Sequence, residues 1–239
     1  MREAIWDNAV LSAMGVPAPA AVPASASAAK DSAPPDSSWD AERFSHAQIR
    51  GMVRQLFFAC EPKPVRQVVF SAIERETDIR SLCLRVGESL ALETDANVAV
   101  VGKYPQLCQA VDPSPRGKND LDLRRVSTRL NGNLWLVPAP DTGNTSERST
   151  MVSLDKFLCE LRSEFEYSIV AAPAAEEWNQ APSMGQLADG TILVLSAQRT
   201  RRVIARNIKE ALERAHVRIL GTVLCDRDFP IPERIYRRL

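Results

Sequence analysis

The sequence has few residues able to hold a transition metal or to form a disulfide framework. Its two histidines, His46 and His216, lie far apart, and its five cysteines, Cys60, Cys83, Cys108, Cys159 and Cys225, are odd in number and form no C-x-x-C pair. They read as reduced thiols packed among apolar residues, with no metal site. Neither sign of charge prevails, since Lys+Arg and Asp+Glu number 30 each. The chain therefore lacks the basic excess of a nucleic-acid binder, and no nucleic-acid partner is expected. No apolar run approaches the ~20 residues that span a bilayer. Glu3 and Asp7 interrupt the basic-then-apolar order of a secretion signal, so a cytoplasmic location is expected. Large apolar side chains are scarce in residues 15–40, where Ala, Pro and Ser dominate and too little surface can be buried to offset ordering. Residues 1–43 are read as a disordered N-terminal segment tipped by Ile5, Trp6, Val10 and Leu11, and residues 44–239 as one domain.

The full sequence is 45% hydrophobic, and beyond the N-terminal segment its apolar residues are patterned. Phe44, Ser45, Gln48 and Ile49 suggest a capping box and staple opening a helix with Ile49, Met52, Val53, Leu56 and Phe57 on one face. Pro62 and Pro64 end it. Residues 66–90 then run from the β-prone Val68, Val69 and Phe70 through a polar turn into a helix with Ile79, Leu82, Cys83, Val86 and Leu90 on its buried side. Further strands are expected at Asn97–Val101, Asn133–Val137, Tyr167–Ala172, Thr191–Ala197 and Val217–Leu224. Helices are expected near Leu121–Leu130, from a cap at Ser149 or Thr150 to Phe165, and through Ile204, Ile208, Leu212 and Ala215. Nearly continuous apolar strands separated by helices imply an α/β fold of three layers, with a mostly parallel sheet covered on both faces.

A strand–turn–helix unit is where phosphates commonly bind, because a helix start offers unpaired N–H groups and a positive dipole end. A G-x-x-x-x-G-K-[ST] loop adds glycines to wrap the anion, a lysine to neutralise it and a hydroxyl for magnesium. The turn Ile73, Glu74, Arg75, Glu76, Thr77, Asp78, Ile79 contains none of these. Asp78 is placed to satisfy the helix start itself. A carboxylate about 4 Å from a phosphate oxygen is repelled by roughly 4 kcal/mol at an effective dielectric near 20.

The order of elements and several stretches carry a resemblance. LRSEFEYSIVAAPAAEE resembles the segment in which a Phe-Asp-Tyr run leads through a strand to Asp-Thr-Pro-Pro. LADGTILVLSAQRTRRVIARNIKEALERAHVRILGTVL is similar to an Ala-Asp-Gly strand, a Thr-Arg helix and a final Gly-Val-Val-Leu strand, and DFPIPERIYRRL to a family tail. Over residues 45–239 the chain resembles the cytoplasmic ATPase domain of bacterial tyrosine autokinases of capsule and exopolysaccharide synthesis, which are deviant Walker P-loop ATPases. Within that likeness, Ser71, Ala72 and Glu76 match the family loop. Its glycines, lysine and hydroxyl fall on Arg75, Thr77, Asp78 and Ile79. The acids of the second motif fall on Gly102 and Tyr104, that of the third on Ala171, and the adenine-reading asparagine on Cys225. The family's E-x-x-R-x-x-R oligomer motif falls on Gln48, Gly51 and Arg54, and Tyr236 stands alone where a tyrosine cluster is usual.

The resemblance implies a P-loop NTPase-like fold whose phosphoryl-transfer parts have been replaced together. No catalytic residue, cofactor or metal ligand is expected at the altered positions. The function implied is that of a pseudo-ATPase or pseudokinase that binds or regulates within polysaccharide synthesis and export. The cytosolic part of a membrane chain-length regulator, or an active kinase relative, would be its partner, with self-association as a further expectation. The alternative is an active ATP- and Mg²⁺-dependent tyrosine kinase or ATPase in which Lys103, Arg75 or Arg80 neutralises phosphate. A third reading takes Arg199, Arg201, Arg202 and Arg206, or Arg234, Arg237 and Arg238, as a patch for an anionic partner; their alternation with acids favours a solvated face. Trp135 and Trp178 read as packing anchors.

Overall fold

Every position of the first strand, β1 (Gln67–Ala72), is buried, as expected of a strand covered on both faces. The computed structural model describes residues 41–59, 64–104, 123–140, 147–172 and 181–226. The N-terminal segment, Cys60, Cys108, Trp178 and the C-terminal tail with Arg234, Tyr236, Arg237 and Arg238 lie outside these residues.

The remaining strands are β2 (Val98–Gly102), β3 (Thr128–Asn131), β4 (Leu134–Pro138), β5 (Tyr167–Ala172), β6 (Gly190–Ser196) and β7 (Ile219–Cys225). They form one sheet in the order β3-β4-β2-β5-β1-β6-β7. All neighbours are parallel except β3 and β4, an antiparallel pair at one edge. The helices are α1 (Ala41–Val53), α2 (Ile79–Glu93), the short α3 (Leu123–Val126), α4 (Glu147–Glu164), α5 (Ala181–Leu187) and α6 (Arg202–Arg214). The sheet is thus mostly parallel, and the fold is the three-layer, P-loop NTPase-like α/β arrangement expected from the sequence.

The alternation of side chains along each strand sorts the core into layers. Val68, Phe70 and Ala72 pack with Leu82, Cys83, Val86 and Leu90 of α2 and with Ile49, Met52 and Val53 of α1 on one face. Val69, Val101 and Val137 meet Leu154, Phe157, Leu158 and Leu161 of α4 on the other. That second face is extended by Leu193, Ile208 and Leu212, together with Ile73 just beyond β1. Gly87 lets α2 lie directly against Val100, because a Cβ there would collide with that side chain. Leu90 is fully buried, and its truncation to Ala should cost about 2–5 kcal/mol.

Five details depart from the sequence reading. Helix α1 begins at Ala41, so Ser45 is inside it and is no cap. Its buried hydroxyl instead accepts a hydrogen bond from Arg85 Nη2 at 2.7 Å. The helix continues as a π-helical turn, Arg54–Phe58. Only Leu123–Val126 of the expected Leu121–Leu130 helix is helical. The chain then enters β3 and turns at Gly132, whose φ of +39° suits glycine. Leu130 packs against the α1/α2 side of the core from that strand. Helix α4 starts at Glu147, which places Ser149 and Thr150 within the helix. Helix α5 was not foreseen.

Candidate functional site

The turn after β1 closes on itself. Asp78 has φ −76° and ψ 74°, the shape of an inverse γ-turn, and the Ile79 N–H accordingly donates to the Thr77 carbonyl at 2.8 Å. Asp78 also caps α2: its Oδ1 accepts the Ser81 N–H at 3.2 Å, and its Oδ2 accepts the Ser81 hydroxyl at 2.6 Å. The Leu82 N–H donates to the Asp78 carbonyl at 3.4 Å, and the Thr77 N–H to the Glu74 carbonyl at 3.3 Å. The Thr77, Ile79 and Ser81 N–H groups are thus engaged by neighbouring residues of the same turn.

Charge follows the same pattern. Desolvation pushes the Asp78 carboxyl up, but the Ser81 hydroxyl and N–H, the Arg80 charge and the Arg80 N–H together outweigh it and hold the group below the ordinary 3.8. At neutral pH the turn therefore carries a negative charge where a phosphate site needs a positive one. Ile79, in the place of the magnesium hydroxyl, packs against the α1/α2 side of the core. Ser71 Oγ and Thr77 Oγ1 are buried without a hydrogen-bond partner.

The structure brings Gly102 and Tyr104 to this turn. The Tyr104 ring lies over Gly102 so closely that a Cβ there would stand 2.8 Å from Tyr104 Cε2. The Tyr104 hydroxyl donates to the Arg80 carbonyl at 3.5 Å, and Arg80 Nη1 donates to the Lys103 carbonyl at 3.1 Å. An aromatic ring and two reciprocal backbone contacts thus occupy the space beside α2 where two carboxylates would be needed. Arg80, a candidate phosphate ligand under the active-enzyme alternative, is directed to a backbone carbonyl instead.

Ala171 sits near the C-terminal end of β5, opposite Phe70 of β1, and supplies no acid. Cys225 is brought elsewhere: it ends β7, pairs with Ser196 and is buried in the core. Burial, reinforced by the Asp226 charge, pushes its thiol well up. A neutral, buried sulfur cannot stand in for an amide that reads a base edge. The set Glu74–Ile79, Gly102, Tyr104 and Ala171 is therefore one locality, with Cys225 two strands away from β1 in the sheet order.

Sequence reasoning missed the partner of Glu76. Arg199, in the loop after β6, approaches Glu76 at 3.6 Å between exposed side chains and ties that loop to the turn. The two residues lie too far apart in sequence for any local pattern to have linked them. Among the described residues no group of three His, Cys, Asp or Glu is placed to hold a metal ion. The turn is rich in acidic side chains, and its Thr77, Ile79 and Ser81 N–H groups are internally bonded, a setting poorly suited to a nucleotide phosphate or its Mg²⁺.

The fold is of the P-loop NTPase-like α/β class. The kinase domain of the Escherichia coli tyrosine kinase Etk superposes with a TM-score of 0.60 at 17% identity, over 79% of this chain and 77% of that one. The BceF tyrosine kinase domain gives 0.58 at 14%, over 76% and 77%, and the VpsO kinase domain 0.56 at 16%, over 77% and 96%. At these identities the likeness establishes the fold. No protein-family model matches the chain, and no curated protein sequence matches it.

Proposed function

We propose that the chain is a pseudo-ATPase: it keeps the architecture of a tyrosine-kinase domain, binds no nucleotide at the former phosphate turn, and acts by binding other proteins. The observation that carries this reading is the closed start of α2, where Asp78 and Thr77 take the Ser81, Leu82 and Ile79 N–H groups for themselves. Phosphoryl transfer in this class is chiefly positioning and charge stabilisation by loop, lysine and metal, and at Arg75, Thr77, Asp78, Ile79, Gly102 and Ala171 those contributions are missing together.

Given the resemblance of the sequence to exopolysaccharide and capsule autokinases, its partner is the cytosolic part of a membrane chain-length regulator or an active kinase relative. The location is then cytoplasmic, at the inner membrane through that partner. Among the described residues no helix is long and apolar enough to cross a membrane. Affinity capture from detergent-solubilised membranes of the native host tests the partner. Recovery of a polysaccharide-export membrane protein or its kinase is expected. Recovery of no envelope component under conditions that retain known complexes would contradict it.

A further inference from the structure

At the far end of α1, Phe58 is the apolar residue that the π-helical turn turns outward. Leu56 and Phe57 of that turn are buried, while Phe58 is 47% exposed. An extra residue in a helical turn re-aims the side chains that follow, and such turns recur at functional places. The Phe58 ring is held, since it meets Tyr167 edge-on at 6.2 Å between centroids, and Tyr167 is in turn packed by Phe57 at 5.6 Å. Beside it opens a cavity of ≈ 420 Å³ lined by Arg54, Phe58, Ala59 and Glu93. Leu92, the neighbour of Glu93, is 81% exposed. The rim is basic on balance: Arg50 at 2.7 Å and Arg54 at 3.1 Å share the single carboxylate of Glu93, and both guanidiniums remain more than half exposed.

We propose that this groove is the docking site of the chain's own N-terminal segment, with Ile5, Trp6, Val10 and Leu11 as its apolar anchors. The segment 1–14 has the complementary chemistry: Ile5, Trp6, Val10 and Leu11 interleaved with Glu3 and Asp7, against one arginine. Reach also fits. The helix from Ala41 to Phe58 spans roughly 25 Å at 1.5 Å per residue. The intervening residues 15–40, rich in Ala, Pro and Ser, could reach at most roughly 90 Å at about 3.3–3.6 Å per residue, well beyond that span. A covalent tether long enough to reach makes the contact intramolecular and raises its effective concentration. A weak apolar contact then suffices within one molecule, whereas a second copy would have to supply it without the tether. The inference concerns the opposite end of α1 and does not depend on whether the turn at Asp78 binds nucleotide.

The test is photo-crosslinking in the full chain with a photoreactive phenylalanine analogue in place of Phe58, followed by peptide mapping. The expected result is an adduct within one chain to residues 1–14, reduced at least fivefold by Trp6→Asp. An adduct between two chains, an adduct to another segment, or none in a protein that melts as the parent does would each overturn the proposal. Hydrogen exchange on the otherwise unaltered chain gives a second reading that needs no change at Phe58. Trp6→Asp is expected to raise exchange over residues 54–58, and unchanged exchange there would also overturn it.

Discussion

Asp78 and Ser81 close the N-terminus of α2: one carboxylate accepts both the Ser81 N–H at 3.2 Å and the Ser81 hydroxyl at 2.6 Å. The same two bonds stabilise the helix and fill the place of an anion. Asp78 is a structural cap, and its removal is expected to lower stability without exposing a binding site.

Asp78→Ala should cost about 1 kcal/mol, the usual effect of losing a helix cap, or roughly 2–4 °C in melting temperature for a domain of this size. The folded-state value of the Asp78 carboxyl is depressed, so its contribution is present above the unfolded value and is lost as pH falls through the folded one. The difference between parent and variant should accordingly be full at pH 7 and shrink below the ordinary 3.8. A difference that grew on acidification would contradict the assignment. Asp78→Lys, which restores a cation, should lose the cap and gain no nucleotide binding, because the Ile79 N–H stays with the Thr77 carbonyl.

Gly102 and Tyr104 should behave as a coupled pair. Gly102→Asp places a side chain against the Tyr104 ring, where a Cβ would stand at 2.8 Å, and overpacking of this kind costs about 1–3 kcal/mol. In a Tyr104→Ala background the same change should be milder, giving a coupling of at least about 0.5 kcal/mol in a double-mutant cycle by denaturant unfolding. Additive effects would mean that the ring does not occupy the acid's place.

How much of this was legible in the sequence follows from how local each signal is. The buried strands β1, β2, β5 and β6 announce themselves as short apolar runs, and α2 and α6 by their spacing. The Asp78 cap was legible too, because a cap is set by residues three apart. Strand β3 was not, since Leu123, Val126 and Leu130 also fit a helical period, and only the pairing with β4 and the turn at Gly132 decide for a strand. The Ser45 capping box failed for a related reason: the hydroxyl is taken by Arg85 of another helix, a partner that no local pattern reveals. In α5 the propensity is poor because Gly185 sits in its interior. That glycine is needed because a Cβ would stand 2.5 Å from Thr191 Oγ1. At the candidate site, the Glu76–Arg199 contact and the Tyr104 ring over Gly102 are tertiary and lay beyond sequence reasoning.

Asp189 should be the most sensitive polar residue away from the candidate site. Its Oδ2 accepts the Arg66 and Gln67 N–H groups at 2.8 Å each, and its Oδ1 accepts Arg162 Nη2 at 2.8 Å. Arg162 Nε in turn donates to the fully buried Gln67 Oε1 at 3.0 Å. Asp189→Ala leaves these donors without their acceptor and should destabilise by about 2–3 kcal/mol. Asp189→Asn keeps an acceptor oxygen and should cost less. Equal losses in urea unfolding would show that the charge, rather than the acceptor geometry, is what matters.

Thiol reactivity should separate the cysteines by burial. Desolvation, reinforced by the Asp78 charge for Cys83 and the Asp226 charge for Cys225, pushes both buried thiols well up, while Cys159 is exposed. Because the thiolate is the reactive form, alkylation of the native protein at pH 8 should modify Cys159, and Cys83 and Cys225 only after denaturation. Rapid native labelling of Cys225, read by peptide mass mapping, would mean that the end of β7 is open to solvent.

Binding of ATP and ADP, with and without Mg²⁺, measured by isothermal titration with a parallel thermal-shift scan, tests the central claim most directly. A ligand at 100 times its dissociation constant stabilises a fold by about 2.7 kcal/mol, which is roughly 5–10 °C here. The account predicts no heat of binding and no shift at millimolar nucleotide. A saturable, magnesium-dependent heat with a matching rise in melting temperature would contradict it, and would mean that the Thr77–Ile79 turn opens to admit a phosphate.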